Sequence, residues 1–218
     1  MSQLRAVVFD LWGTLVDASA AEFRDLRRRV AARAGISEER FERLWAETYR
    51  QRETGPIRPA LLAVGVSDEA VGKILGWRRE VIRNALVPAA GALELLAEVR
   101  RRGLRTGLIS MSTEEVSELW SATELAPLIE AAVFSCDVGL AKPDPRIYRL
   151  GCDRLGVAPA EAVFIGDGDN DELVGAERAG LRAVLLDGTS PYGAGWPGER
   201  IASLLELVPL LDAAVVAR

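Results

Sequence analysis

Residues 7–17 read Val-Val-Phe-Asp-Leu-Trp-Gly-Thr-Leu-Val-Asp, an apolar run that stops at a lone aspartate, Asp10, before a Gly13-Thr14 turn. Polar side chains end three other apolar stretches: Ser110 in Leu-Ile-Ser-Met-Ser, Lys142 in Lys-Pro-Asp-Pro, and the acidic run Gly166-Asp-Gly-Asp-Asn-Asp171. There is no histidine. The commonest general base, serine–histidine triads and imidazole zinc sites are therefore excluded. Any chemistry must rest on carboxylates, lysine, hydroxyls or a metal. Gly166-x-Gly168 hints at a dinucleotide loop, but position 171 is Asp where a third glycine belongs, and the carboxylates would repel a pyrophosphate. Asp167-x-Asp169-x-Asp171 resembles the start of a calcium loop, but Glu172 stands where that loop needs glycine and Arg178 where it needs its closing glutamate. A phosphate-associated Mg²⁺ site fits the run better, because Mg²⁺ takes one or two carboxylates and completes its shell with water and substrate oxygens.

Such residues meet only if a fold gathers them. Short apolar runs, Ala6–Phe9, Arg105–Ile109, Ala131–Phe134, Ala162–Ile165 and Arg182–Leu186, alternate with helical patterns at 91–100, 145–155 and 172–179. This alternation predicts an α/β protein, a Rossmann-like three-layer core with a parallel sheet. The carboxyl ends of parallel strands share one edge, where ligands bind. Taken singly, Asp10 has a reading as a turn cap, Ser110 as a helix cap, Lys142 as a surface lysine and the acidic run as a solvated helix start. Their common strand-end placement argues against four purely structural roles.

From about Ala18 to Leu86 the pattern changes. Ala21–Ala34, Glu38–Glu53 and Asp68–Ala85 read as amphipathic helices with no strand between them. The expected organisation is a core of residues 1–16 and 88–218 with an all-helical insert at 17–87. The composition is 49% hydrophobic and 27% charged, enough for a packed core, and the net charge of −5 makes nucleic acid or an anionic membrane a poor partner. Cys136 and Cys152 form no Cys-x-x-Cys pair, and no apolar stretch reaches spanning length, so a soluble cytoplasmic protein, monomer or homodimer, is expected.

Asp-x-x-Gly-Thr-Leu from Asp10, the strand-end Ser110, Lys-Pro-Asp-Pro from Lys142 and Gly-Asp-x-x-x-Asp from Gly166 occur in the order found in haloacid dehalogenase-like (HAD) hydrolases. The chain resembles that superfamily, in the branch whose helical cap follows the first motif. The resemblance implies that Asp10 is the nucleophile, since a carboxylate attacks phosphorus without first losing a proton at neutral pH. It implies that Ser110, Met111, Lys142 and the Trp12 position hold the phosphoryl group. Asp10, Asp167 and the Trp12 backbone carbonyl would hold Mg²⁺, with Asp171 ordering a bound water or Lys142. The implied substrate is a small-molecule phosphate ester.

Trp12 departs from the pattern. Phosphatases of the superfamily usually carry there a second aspartate that protonates the leaving oxygen and then activates water, and indole does neither. Alkyl phosphates should then be poor substrates and nitrophenyl phosphate better, unless another carboxylate, Asp169 or Asp171 within the motifs, supplies the proton. Two alternatives follow. The 2-haloacid dehalogenases place an aromatic residue at this position and expel halide, which needs no proton. They need no metal, however, and typically replace Gly-Asp with Ser-Ser-Asn. The other is a phosphate-binding protein without turnover. In the insert, Trp45, Tyr49 and Trp77 are expected to pack within the helices, and Arg50, Arg52 and Arg58 to be solvated.

Overall fold

The computed structural model describes residues 3–17, 20–188 and 191–216. Six strands form one parallel sheet: β1 (Ala6–Phe9), β2 (Arg105–Ser110), β3 (Ala131–Phe134), β4 (Ala162–Gly166), β5 (Arg182–Leu186) and β6 (Glu199–Ile201). Their order is β3-β2-β1-β4-β5-β6, so β1 lies between β2 and β4 as the site requires. Side chains alternate strictly across the sheet. Val7 and Phe9 of β1 face one layer and Ala6 and Val8 the other, and Val163 and Ile165 of β4 oppose Ala162 and Phe164 likewise. The first layer is closed by α6 (Ala92–Arg101), α7 (Glu114–Trp120) and α11 (Leu207–Val216). The second is closed by α9 (Pro145–Leu155) and α10 (Glu172–Ala179), and the one-turn α8 (Ser135–Val138) follows β3. Both faces are dry, which is why these strands read as continuous apolar runs. β6 is a three-residue edge strand, too short to leave a periodic signal, and the sequence pattern missed it.

Between β1 and α6 lie five helices: α1 (Ala20–Ala34), α2 (Glu38–Glu47), α3 (Tyr49–Glu53), α4 (Arg58–Ala63) and α5 (Asp68–Ala85). Ala18, where the sequence pattern changes, lies outside the described residues. The helices share a core of their own, built on Leu26, Val30, Phe41, Leu61, Val71 and Ile74. The single helix expected over Glu38–Glu53 is two. Thr48 interrupts it: its hydroxyl donates to the Trp45 carbonyl at 3.0 Å, and its backbone leaves the helical region. This side-chain competition with the backbone turns α3 away from α2.

The insert is fastened to the core by polar contacts of unequal weight. Arg78 of α5 donates to Glu115 of α7 at 2.5 Å and to the Thr113 hydroxyl at 3.2 Å, with both charged side chains buried. Burial works to raise the Glu115 carboxyl, and Arg78 overcomes it, holding the group below its ordinary range. The next residue, Arg79, meets Glu118 at 2.9 Å in solvent. Arg78→Met should lower stability by about 3–5 kcal/mol, because it strands a buried carboxylate. Arg79→Met should cost below about 1 kcal/mol. Urea unfolding of both variants checks the contrast, and equal losses would contradict it.

Candidate active site

Asp10 follows β1 directly, and its N–H donates to the Ile165 carbonyl of β4 at 2.8 Å. That bond carries the strand pairing one residue past the sheet and fixes where the carboxylate emerges. Asp167 follows β4, so the two acids leave neighbouring strands side by side. Their close approach depends on Gly13, whose φ is +73°. A Cβ there would lie 2.6 Å from Asp167 Oδ2, so only glycine serves at this turn.

The centre of the site is Lys142. Its ammonium is buried and donates to Asp10 Oδ1 and, at 2.6 Å, to Glu172 Oε2. Its backbone N–H donates to the Met111 sulfur at 3.2 Å, tying the Lys-Pro turn to the loop after β2. Carboxylate oxygens of Asp10, Asp167 and Glu172 all lie within 4.8 Å of one another. Three buried acids thus surround one ammonium. Burial pushes the Glu172 carboxyl up to about 8 against the pull of Lys142, and it raises Asp10 as well. Burial also works to depress Lys142, but the two carboxylates prevail and keep it charged. The residual negative charge and the all-oxygen donor set suit a hard divalent cation.

Three site expectations need correction. Asp171 is exposed, and Glu172 rather than Asp171 holds Lys142, which bears on that one role of Asp171 and not on the role through a bound water. Asn170 and Asp171 both have positive φ, 54° and 52°, and this left-handed turn sends Asp171 outward while α10 begins with Glu172 pointing in. Ser110 ends β2 fully buried, with its hydroxyl directed to the Met111 carbonyl at 3.4 Å. Ser112, two residues on, lines the cavity instead, with a buried hydroxyl that has no partner among the described residues. The third correction lies in the insert. Tyr49 and Arg52 line the cavity; Trp45 stacks on Phe41 within the helices as expected and lines the cavity too, and Trp77 packs as expected, beneath Arg29 and Lys73.

The cavity, about 280 Å³, lies between the strand ends and the insert. Asp10, Lys142, Ser112, Met111, Asp169 and Glu172 form its floor, and Trp12, Phe23, Leu26, Ile82 and Val116 give it an apolar wall. The Trp12 indole meets Phe23 edge to face at 5.9 Å between ring centres. Tyr49 of α3 reaches down to Asn170 at 3.2 Å. Arg52 lies against the rings of Trp45 and Tyr49, 4.2 and 5.0 Å from their centres. Beside it, Glu53 faces the cavity from a nearly buried position. Glu172, Ser112 and Glu53 were not singled out from the sequence as site residues. The first two stand one residue past Asp171 and two past Ser110, so their signal was position within motifs already found.

Such a floor, with a strand-end carboxylate held by a buried lysine over a parallel sheet, defines a class. The haloacid dehalogenase-like hydrolase family model matches residues 4–180, and the chain belongs to that family of hydrolases. It is 30% identical to (S)-2-haloacid dehalogenase 4A of Burkholderia cepacia over 97% of this chain and 96% of that protein. It is 32% identical to phosphatase MT3486 of Mycobacterium tuberculosis, over 84% of this chain and 88% of that one. Against phosphoserine phosphatase of Thermus thermophilus it is 37% identical over 66% of this chain, a match spanning 56% of that protein's length. A dehalogenase crystal structure superposes with TM-score 0.63 at 26% identity, covering 96% of this chain and 98% of that one. A HAD phosphatase from Thermococcus onnurineus shares the fold at TM-score 0.72 and 21% identity, covering 95% of this chain and 98% of that one. No helix among the described residues is long and apolar enough to cross a membrane.

Burial pushes the Glu53 carboxyl from its ordinary 4.5 up to about 7. A carboxyl raised on folding favours the folded state below its unfolded pKa, and that contribution is lost as pH rises toward the folded value. Wild-type stability should therefore fall by on the order of 2–3 kcal/mol more than that of Glu53→Gln between pH 4.5 and pH 7. Urea titrations across that window check it, and parallel curves for the two proteins would contradict it.

Proposed function

We propose that the protein is a phosphate monoester hydrolase for a small molecule, working through a phosphoryl group carried on Asp10 and dependent on Mg²⁺. The observation that carries this reading is Asp167 retained beside Asp10, with Glu172 completing a buried trio of acids against one ammonium. Halide displacement from carbon calls for no such excess of carboxylate. Asp10, Asp167 and the Trp12 carbonyl would hold the ion. When bound, Mg²⁺ neutralises the acids and the charge developing on the phosphoryl oxygens.

The chain's own groups then divide the work. An Asp10 oxygen attacks phosphorus as the ester oxygen departs, and water later breaks the Asp10–phosphorus bond to give phosphate. Lys142 fixes the Asp10 carboxylate and has a third N–H for a phosphoryl oxygen. Glu172 keeps Lys142 in line and charged. Ser112, which lines the cavity and whose buried hydroxyl has no partner among the described residues, takes the donor role expected of Ser110. The helical insert, residues 17–87, acts as a cap over the core of 1–16 and 88–218. The small cavity with its apolar wall favours a compact organic group over an extended sugar chain.

The second reading, halide release from a 2-haloacid, draws on the aromatic residue at position 12 and on the near full-length likeness to a dehalogenase. One assay separates the two. Nitrophenyl phosphate hydrolysis should require Mg²⁺, vanish in Asp10→Asn and fall at least ~10²-fold in Asp167→Ala. Halide release from a 2-haloacid in excess chelator, with no phosphatase activity, would establish the second reading instead.

A further inference from the structure

We propose that Glu53, on the helical insert, is the general acid and base for the ester chemistry at Asp10, in place of the group that Trp12 cannot supply. The inference rests on the phosphatase reading and adds the residue that moves the proton. Four carboxylates line the cavity among the described residues: Asp10, Glu53, Asp169 and Glu172. Asp10 and Glu172 are held by Lys142. Asp169 accepts its neighbour Asn170's N–H at 2.8 Å, in the turn beside Asp167. Glu53 differs from all three. Its side chain is only 11% exposed, yet it accepts no hydrogen bond among the described residues, and its nearest cation, Arg52 Nε, is 3.5 Å away.

Arg52 does not close on it as a forked salt bridge. The guanidinium is laid against Trp45 and Tyr49 and donates instead to the Trp45 carbonyl and, at 3.4 Å, to the Thr48 hydroxyl. The Glu53 oxygens are not sealed off: among the described residues the fully buried polar atoms without a partner are those of Thr14, Ser112 and Glu115, so the Glu53 carboxyl keeps access to the cavity it lines. It lines the same cavity of about 280 Å³ as the nucleophile Asp10, so an ester seated on Asp10 shares that space with Glu53. The remaining oxygen acid of the insert's wall, the Tyr49 hydroxyl, is pushed up to about 12 and is engaged with Asn170.

The charges around Glu53 come from several elements: Arg52 on α3, Arg78 on α5, Glu115 on α7, Asp169 after β4, and Tyr49 and Cys136 as neutral titratable groups. Burial outweighs the two arginines and leaves the carboxyl near 7, where a group serves as acid and base in turn. In the first step the Asp10–phosphorus bond forms, the phosphorus–ester oxygen bond breaks, and the Glu53 proton passes to the departing oxygen, giving the alcohol. In the second, the Glu53 carboxylate takes a proton from water, the water oxygen bonds to phosphorus and the Asp10–phosphorus bond breaks. Phosphate leaves and Glu53 is protonated again, so one water is consumed per ester.

Glu53→Gln keeps the size and polarity of the side chain but cannot transfer a proton. With Mg²⁺ and nitrophenyl phosphate, this variant should release a burst of about one nitrophenol per site and then turn over ~10²–10³-fold more slowly than wild type. With an alkyl phosphate it should lose the burst as well. Glu53→Asp, which keeps the acid, should recover at least tenfold on both esters. Steady-state rates for Glu53→Gln within threefold of wild type on both esters would overturn the proposal. So would an equal loss on both with no burst on either, in a variant whose circular dichroism matches wild type. If wild type itself shows no Asp10-dependent turnover of either ester, the phosphatase reading has failed and this inference falls with it.

Discussion

One contact organises the molecule: the buried Lys142 ammonium shared between Asp10 and Glu172. Burying an ammonium costs several kcal/mol unless its partners repay it, and here the partners are themselves buried acids that repel each other. Neither side is stable in place without the other. The contact also spans the fold, since Asp10 follows β1, Lys142 lies in the turn before α9 and Glu172 opens α10. Three chain segments must therefore arrive together before the whole contact is made. Even then the acids outnumber the lysine, which leaves the site suited to a cation.

The surrounding architecture serves that contact. Parallel pairing of β1 with β2 and β4 sends their carboxyl ends to one edge, and the hydrogen bond from Asp10 to Ile165 extends the register into the site. The helical insert closes the other side of the cavity. Its arginines are already engaged: Arg78 with Glu115, Arg27 with Glu42, and Arg52 against two rings. They shape the wall more than they offer free positive charge.

Much of this is legible in the sequence, for a physical reason. Strands buried on both faces must be continuously apolar, so Ala6–Phe9 and Ala162–Ile165 declare themselves and the polar residues that end them stand out. Asp10 and Asp167 were found that way; Lys142, expected where a strand ends, instead follows β3 by a helical turn at Ser135–Val138 and reaches the site from the turn before α9. Periodicity does not report which of several adjacent polar residues turns inward. Asp171 and Glu172 differ by one residue, and two successive left-handed backbone conformations decide between them. Ser110 and Ser112 are separated by where β2 ends and its loop begins. The wall formed by Trp45, Tyr49, Arg52 and Glu53 depends on the break at Thr48, a side-chain hydrogen bond that an amphipathic pattern across Glu38–Glu53 conceals.

The central claim is that Asp10 carries the phosphoryl group, and its most direct test is to quench the protein during turnover of nitrophenyl phosphate with Mg²⁺ and weigh the Asp10 peptide. The account predicts an acid-stable, hydroxylamine-sensitive gain of one phosphoryl group on Asp10, absent when chelator replaces the metal. Phosphate release at full rate with an unmodified Asp10 peptide at every quench time, and undiminished in Asp10→Asn, would contradict it.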